Sequence, residues 1–411
     1  MKLSIIVCVY NTDVGYFDKC LESLTLSTLA PSEFEICVVD DGSTCDYSSI
    51  IKKYGVKYTK TENQGILKAR LLGISMAEGD YIAFCDSDDT VSINYYAPML
   101  DKAKTEGADI VFNDWAFHTD SVRYVCTLDS TVSRDLAYNG DEVLRAFLGV
   151  KGREHSYFVL WNKIYRKEAL TYAQSECLKC IEDGERYNYS EDALINFFAF
   201  SYSKSVRNVH TGYYFYRVHS AQTVNVISRE RLLSHIKYMS RTLDIMRENV
   251  NNRLHLQEML ADISAWAGLM SRTHYTYAKT FGYSDLYEII KASYKVDVLE
   301  KSSRYDGAVY SRALVLPLNF EEIDRELIAV IRLSGERFVD PRSLSPYAQK
   351  TFEYAQSKGE NIIFETGAGI NISKPKSSIV KRLIHNYYIY NLGIILFPKG
   401  SKIRSLLKKL L

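Results

Sequence analysis

Four short apolar runs, at residues 3–10, 34–39, 81–85 and 109–112, constrain this chain more than any other feature. The first reads as a strand covered on both sides, and the others as further apolar strands. Helical stretches separate them, near 15–28, 47–54, after Gly65 and at 94–106, and Val56-Lys57-Tyr58 adds a short strand. After Gly65, Leu67, Leu71, Ile74 and Ala77 recur at helical spacing and mark one packed face. Glu78-Gly79-Asp80 ends that helix. An alternation of this kind packs as a doubly wound, mostly parallel α/β sheet.

The third apolar run, Tyr81-Ile82-Ala83-Phe84-Cys85, passes directly into Asp86-Ser87-Asp88-Asp89. Carboxylates packed this densely repel, and a divalent cation with oxygen ligands is the simplest compensation. Asp40 and Asp41 end the second long strand, so both acidic groups are expected at the carboxyl edge of one sheet, where α/β folds bind ligands. Such a cation would neutralise a diphosphate. Two local readings compete: an Asp-Gly-Ser turn at Asp40–Asp41, and an Asx turn with a helix cap at Asp86–Asp89.

Farther on, Ser190-Glu191-Asp192 heads an apolar helical run. Ser190 is placed as its cap, with the acids in the first turn, or one acid faces the site as a general base. Arg217 and His219 alternate along a strand-like stretch, a pairing suited to phosphate or metal. The sequence has no G-x-G-x-x-G after the first strand, no P-loop signature and no G-x-S-x-G elbow, which disfavours three common α/β chemistries.

Charge argues against nucleic acid as a partner, because 51 basic and 50 acidic side chains nearly cancel. Cysteine usage predicts a reduced compartment: Cys8, Cys37 and Cys85 sit in apolar runs, and Cys177-x-x-Cys180 has no further zinc ligands nearby. The opening Met1-Lys2-Leu3-Ser4 leads straight into a strand, and no uninterrupted run of 18 apolar residues occurs, so the expected location is cytoplasmic. Residues 228–300 carry helical periodicity, as at 230–249 and 255–270, whereas 318–370 is ambiguous. The expected division is 1–227 for the α/β domain, 228–375 for a mainly helical accessory region and 376–411 for a basic amphipathic tail. In the tail, Ile403, Leu406, Leu407 and Leu410 share one face among Lys402, Arg404, Lys408 and Lys409. It suits either the cytoplasmic surface of a membrane or a protein surface, a second copy included.

Taken in order, these segments resemble a family 2 glycosyltransferase of the GT-A fold, of the bacterial surface-glycan type. The resemblance rests on Val9-Tyr10-Asn11, Val39-Asp40-Asp41-Gly42-Ser43-Thr44, Asn63-Gln64-Gly65 with Ala69-Arg70, Glu78-Gly79-Asp80-Tyr81-Ile82, Asp86-Ser87-Asp88, Trp161-Asn162-Lys163 with Tyr165-Arg166, Glu191-Asp192, and Tyr216-Arg217-Val218-His219 with Ser220 and Thr223. It covers roughly residues 3–225 and departs from the family where Cys8 replaces a common proline.

The resemblance implies a donor site formed by Val9, Asn11, Asp40, Asp41, Arg70, Asp86, Ser87, Asp88, Trp161, Lys163 and Arg217. Within it, Asp41 would pair with the nucleobase, most often uracil. Asp88, Asp86 and His219 would hold Mn²⁺ or Mg²⁺, and Arg217 and His219 would close over the diphosphate. Asp192 would be the base, with Glu191 beside it. The implied partners are a nucleotide-sugar, most often a UDP-sugar, and a glycan, lipid-linked or protein-linked acceptor; the implied reaction is inverting. A sugar nucleotidyltransferase and a non-catalytic sugar-binding protein on the same fold are the alternatives.

Overall fold

In a computed structural model, described for residues 2–113, 116–120, 125–130, 136–149, 158–182, 184–209, 212, 214–218, 228–251, 253–296, 312–320 and 325–333, the apolar runs become a parallel sheet core. The elements follow in chain order: β1 (Leu3–Val9), α1 (Val14–Thr25), β2 (Phe34–Asp40), α2 (Ser48–Tyr54), β3 (Lys57–Lys60), α3 (Ile66–Met76), β4 (Tyr81–Asp86), β5 (Thr90–Val91), α4 (Tyr96–Glu106) and β6 (Ile110–Asn113). Then come β7 (Ala116–Asp120), β8 (Val125–Ser130), β9 (Ala137–Asn139), α5 (Glu142–Leu148), β10 (Lys163–Arg166), α6 (Lys167–Cys180), α7 (Glu191–Tyr202), β11 (Ser205–Val209) and β12 (Tyr214–Val218). The last are α8 (Arg229–Asn249), α9 (Leu256–Phe281), α10 (Tyr287–Tyr294), β13 (Arg312–Phe320) and β14 (Arg325–Leu333).

Eight strands form one sheet in the order β3-β2-β1-β4-β10-β6-β11-β9. β1 lies between β2 and β4 and is parallel to both. β10 runs antiparallel between β4 and β6, and β11 returns parallel to β6. The register pairs Val9 with Asp40 and Cys8 with Asp86, so β1, β2 and β4 end on one line. Because β10 is reversed, Trp161 and Asn162, just before it, also stand at that edge. α7 feeds the start of β11, which places the first turn of α7 at the same end.

The core follows from composition. Leu3, Ile5, Ile6 and Val7 of β1 are fully buried, as expected of a strand covered on both faces. α3 buries Leu67, Leu71 and Ile74, with Ala77 just past its end, the face its spacing predicted. It approaches β1 so closely that a Cβ on Gly73 would stand 2.4 Å from Ile6 Cγ2. At the amino edge Glu35 gathers Lys57, Lys2, Ser4 Oγ and the Glu78 amide, tying β1, β2, β3 and the end of α3 together. These bonds outweigh the cost of its burial and hold its carboxyl down at about 2.

Two compact units emerge. The first comprises residues 1–117, 134–217 and 244–262 and contains the eight-stranded sheet, with β5 and β12 paired antiparallel beside it. The second comprises 118–133, 218–243 and 263–411. It contains most of α9, with α10, and β14 pairs with β13 antiparallel and with β8 parallel. β13 and β14 supply strands where residues 318–370 were ambiguous. β8 reaches Ser130, and β9 pairs antiparallel with β11. His219, Ser220, Thr223 and the tail at 376–411 lie outside the described residues.

Candidate active site

β1, β2 and β4 deliver their last residues to one rim, and loop chemistry orients them. β2 ends at Asp40, which is fully buried and accepts bonds from the Ser43 amide (2.7 Å) and the Tyr58 hydroxyl (2.9 Å). Its bond to Ser43 closes an Asx-type turn, so Asp40 shapes the loop from inside. Asp41 accepts from the Gln64 and Gly65 amides at 2.7 and 2.9 Å, which fixes the loop that leads into α3. Gly65 adopts φ +92, and a Cβ there would stand 2.4 Å from Asn188 Oδ1. Asn11, at φ 50, accepts from the Thr44 amide and hydroxyl and thereby locks the β1 loop to the β2 loop. The Val9 side chain lies in the core, and its carbonyl accepts the Asp41 amide. An open cleft of about 370 Å³ borders Asp41, Thr61, Gln64 and Lys68.

The acidic loop divides its carboxylates. Asp86 and Asp88 are half-buried at the rim, whereas Asp89 turns fully inward. Ser87 Oγ meets Thr12 Oγ1 at 2.7 Å. Asp89 accepts from the Tyr214 hydroxyl and the Arg217 amide, both at 2.7 Å. It is therefore no open member of the predicted three-carboxylate cluster. Arg217 donates from Nε to the Asp88 carbonyl at 2.7 Å, with its guanidinium 4.3 Å from the Tyr16 ring centroid. Trp161 stacks on Tyr214 with centroids 4.3 Å apart. Lys163 departs from its expected place in the donor site. It is fully buried, and Nζ donates to the Val159 carbonyl (2.6 Å) and Asn162 Oδ1 (2.7 Å), which folds the turn before β10.

Arg70, on the second turn of α3, joins the two acidic groups. Nη1 reaches Glu191 Oε1 at 2.6 Å and Nη2 reaches Asp86 Oδ1 at 3.5 Å. Burial raises the Asp86 pKa, Asp88 and Glu191 add to the rise, and Arg70 opposes it. Asp192 is raised to about 7, first by desolvation and then by the charge of Glu191, with Arg70 again opposing. Ser190 holds φ 60 and makes no side-chain cap; Asp192 Oδ1 itself accepts the Ala193 amide at 2.7 Å. The expected serine cap is thus absent, and a carboxylate of the first turn takes up the Ala193 amide.

Sequence reading passed over the role of Tyr214, which donates to Asp89 and accepts the Asp86 amide at 3.1 Å. The available signal was its alternation with Tyr216, since a tyrosine buried on a strand face seeks a partner for its hydroxyl. A larger cleft, of about 530 Å³, lies at the opposite, amino edge beside Asp109, Arg166, Tyr172 and Tyr202. It contains none of the predicted site residues, and its Arg166–Asp109 ion pair (2.7 Å) already serves the strand ends. Among the described residues, no three or more His, Cys, Asp or Glu side chains are grouped to hold a metal ion unaided. Nor is any helix there long and apolar enough to cross a membrane.

A profile of glycosyl transferase family 2 matches residues 4–170, the stretch from β1 into α6. EpsH of Bacillus subtilis, which carries a glycosyltransferase name, is 31% identical over 253 residues, covering 60% of this chain and 70% of EpsH. The chain belongs to glycosyl transferase family 2. Another relative, the glycosyltransferase GlyA of Streptococcus pneumoniae, is 24% identical over 336 residues, 80% of this chain but 45% of GlyA. Among solved structures, S. aureus TarS superposes with a TM-score of 0.50 at 18% identity, over 80% of this chain and 60% of TarS, a likeness of fold. Membership agrees with the expected enzyme class, and the sheet with the expected GT-A architecture. At the carboxyl rim of its sheet, Arg70 pairs with Asp86 and Glu191, with Asp88 and Asp192 close in sequence to those two acids.

Proposed function

We propose that this chain transfers a sugar from a UDP-sugar to a hydroxyl of a glycan, lipid-linked or protein-linked acceptor, with inversion at the anomeric carbon. We place it in bacterial surface-polysaccharide assembly; the relatives described are bacterial proteins. The observation that carries the reading is the juxtaposition, at one sheet edge, of two open carboxylates and a third acid raised to about 7, braced by one arginine.

Glu191 is engaged by Arg70, which leaves Asp192 as the acid suited to take a proton near neutral pH. As the acceptor oxygen bonds to the anomeric carbon, its proton passes to Asp192, and the bond to the UDP oxygen breaks with its electron pair. An α-linked donor gives a β-linked product. Asp41 and the adjacent cleft suit the nucleobase, and Trp161 offers an aromatic face beside the acids. Asp86 and Asp88 fit Mn²⁺ or Mg²⁺, because such ions take one or two protein carboxylates and complete their shell with phosphate oxygens and water. Bound there, the ion would offset charge on the departing diphosphate.

A nucleotidyltransferase would need an open anion-binding loop after β1. Here Asp13 Oδ1 already accepts the Gly15 and Tyr16 amides at the start of α1.

Asp192→Asn is the decisive variant. Transfer should fall about 10²–10⁴-fold while UDP binding persists; undiminished transfer would refute the assignment. Asp88→Ala should abolish the Mn²⁺ dependence of UDP binding in calorimetric titration.

A further inference from the structure

Asp89 stands among rim acids yet is itself fully buried, and neither of its oxygens is directed outward. Oδ2 accepts the Tyr214 hydroxyl and Oδ1 accepts the Arg217 amide, both at 2.7 Å. The Tyr214 hydroxyl accepts the Asp86 amide at 3.1 Å, and Arg217 Nε donates to the Asp88 carbonyl at 2.7 Å. The Asp89 amide closes the turn onto the Asp86 carbonyl at 3.1 Å. These bonds form a closed circuit between the 86–89 loop and β12. Every joint in it is made by Asp89, by Tyr214 or by Arg217.

A carboxylate suits this place because each of its oxygens accepts from a different donor. An amide would accept from Arg217 but turn its NH₂ toward the Tyr214 hydroxyl, leaving that hydroxyl proton without its acceptor. Burying the charge costs stability that an apolar residue would not cost. Packing alone therefore gives no reason for an acid here, whereas linking the loop to the strand does.

We propose that Asp89 and Tyr214 are positioning residues for donor binding. They bind the acid loop and β12 into one body, so that the Asp88 carboxylate and the Arg217 guanidinium keep a fixed separation that suits a diphosphate with its cation. This rests on the reading of the rim as a nucleoside-diphosphate site.

The test uses the full chain, with calorimetric titration of UDP at saturating Mn²⁺ and a melting curve for each variant. Asp89→Asn and Tyr214→Phe break the same joint from opposite sides, and Phe keeps the ring that stacks on Trp161. Each should weaken UDP binding about tenfold, the scale of one buried hydrogen bond. The double variant should be no weaker than the worse single one. On an Arg217→Ala background, Asp89→Asn should add less than about threefold, because the group it places is gone.

Unchanged affinity in Tyr214→Phe, with only a lower melting temperature, would overturn the proposal, as would losses that multiply in either double variant. A wild-type chain that binds no UDP would overturn the donor reading itself, and this proposal with it; wild-type binding with indifferent variants removes this proposal alone.

Discussion

Two adjacent carboxylates, Glu191 and Asp192, face different partners, and that difference assigns their chemistry. Arg70 pairs with Glu191 at 2.6 Å, while burial beside Glu191 lifts Asp192 to about 7. Transfer limited by the chemical step should therefore rise with pH through about 7, and a pH–rate profile checks it. Stability runs the other way. The unfolded chain loses the Asp192 proton near 3.8, whereas the folded chain keeps it to about 7. Between these values the unfolded state binds fewer protons, so stability falls as pH rises, and the full penalty applies above about 7. Asp192→Asn should then melt higher than the wild type at pH 8 but not below pH 4. Glu35 has the opposite sign, being held down at about 2 by its four donors despite burial. Its contribution is present above 4.5 and lost as pH falls toward about 2. Glu35→Gln should cost ~2 kcal/mol at neutral pH and almost nothing near pH 2 in denaturant titrations. Neither acid's shift was legible in sequence: the donors to Glu35 come from distant segments, and the burial that dominates at Asp192 is set by packing.

α3 is the element on which the site depends. Asp41 fixes the loop that enters it, Arg70 projects from its second turn, and Gly73 lets it lie against Ile6 of β1. Its buried face was readable from spacing, since helical periodicity is a local property. The requirement at Gly73 was not, because it depends on which strand lies beneath. Ala is favoured over Gly in an isolated helix by about 1 kcal/mol, yet Gly73→Ala should destabilise this fold by about 1–3 kcal/mol, the cost of overpacking. Chemical denaturation decides the sign. Truncating Ile6 to Ala in the same chain should recover part of the loss. The strands after residue 113 were harder to read: β10 and β11 are short, and β10 is a reversed strand inside a parallel sheet.

At the scale of the whole molecule, compact units and sequence intervals do not coincide. The first unit takes back residues 244–262 after the chain has left it at 217. There Arg253 donates to the Ser201 carbonyl, Glu258 pairs with Arg145, and Met246, Val250 and Met259 are buried. A shortened chain ending at residue 227 loses this segment. It should melt at least about 5 °C below one ending at 262, given the apolar side chains it leaves unburied, as calorimetry would show.

The order of apolar runs, helices and acids along the chain determined the sheet, its ligand edge and the segments that meet there, because strand burial and helical periodicity are written locally. Tertiary structure alone decided which acids stay open. Asp86 and Asp88 face the rim while Asp40 and Asp89 turn inward, and Lys163 folds its own turn. Adjacent residues of one chemical type differ only in the neighbours that long-range packing brings to them, and those neighbours set both burial and charge.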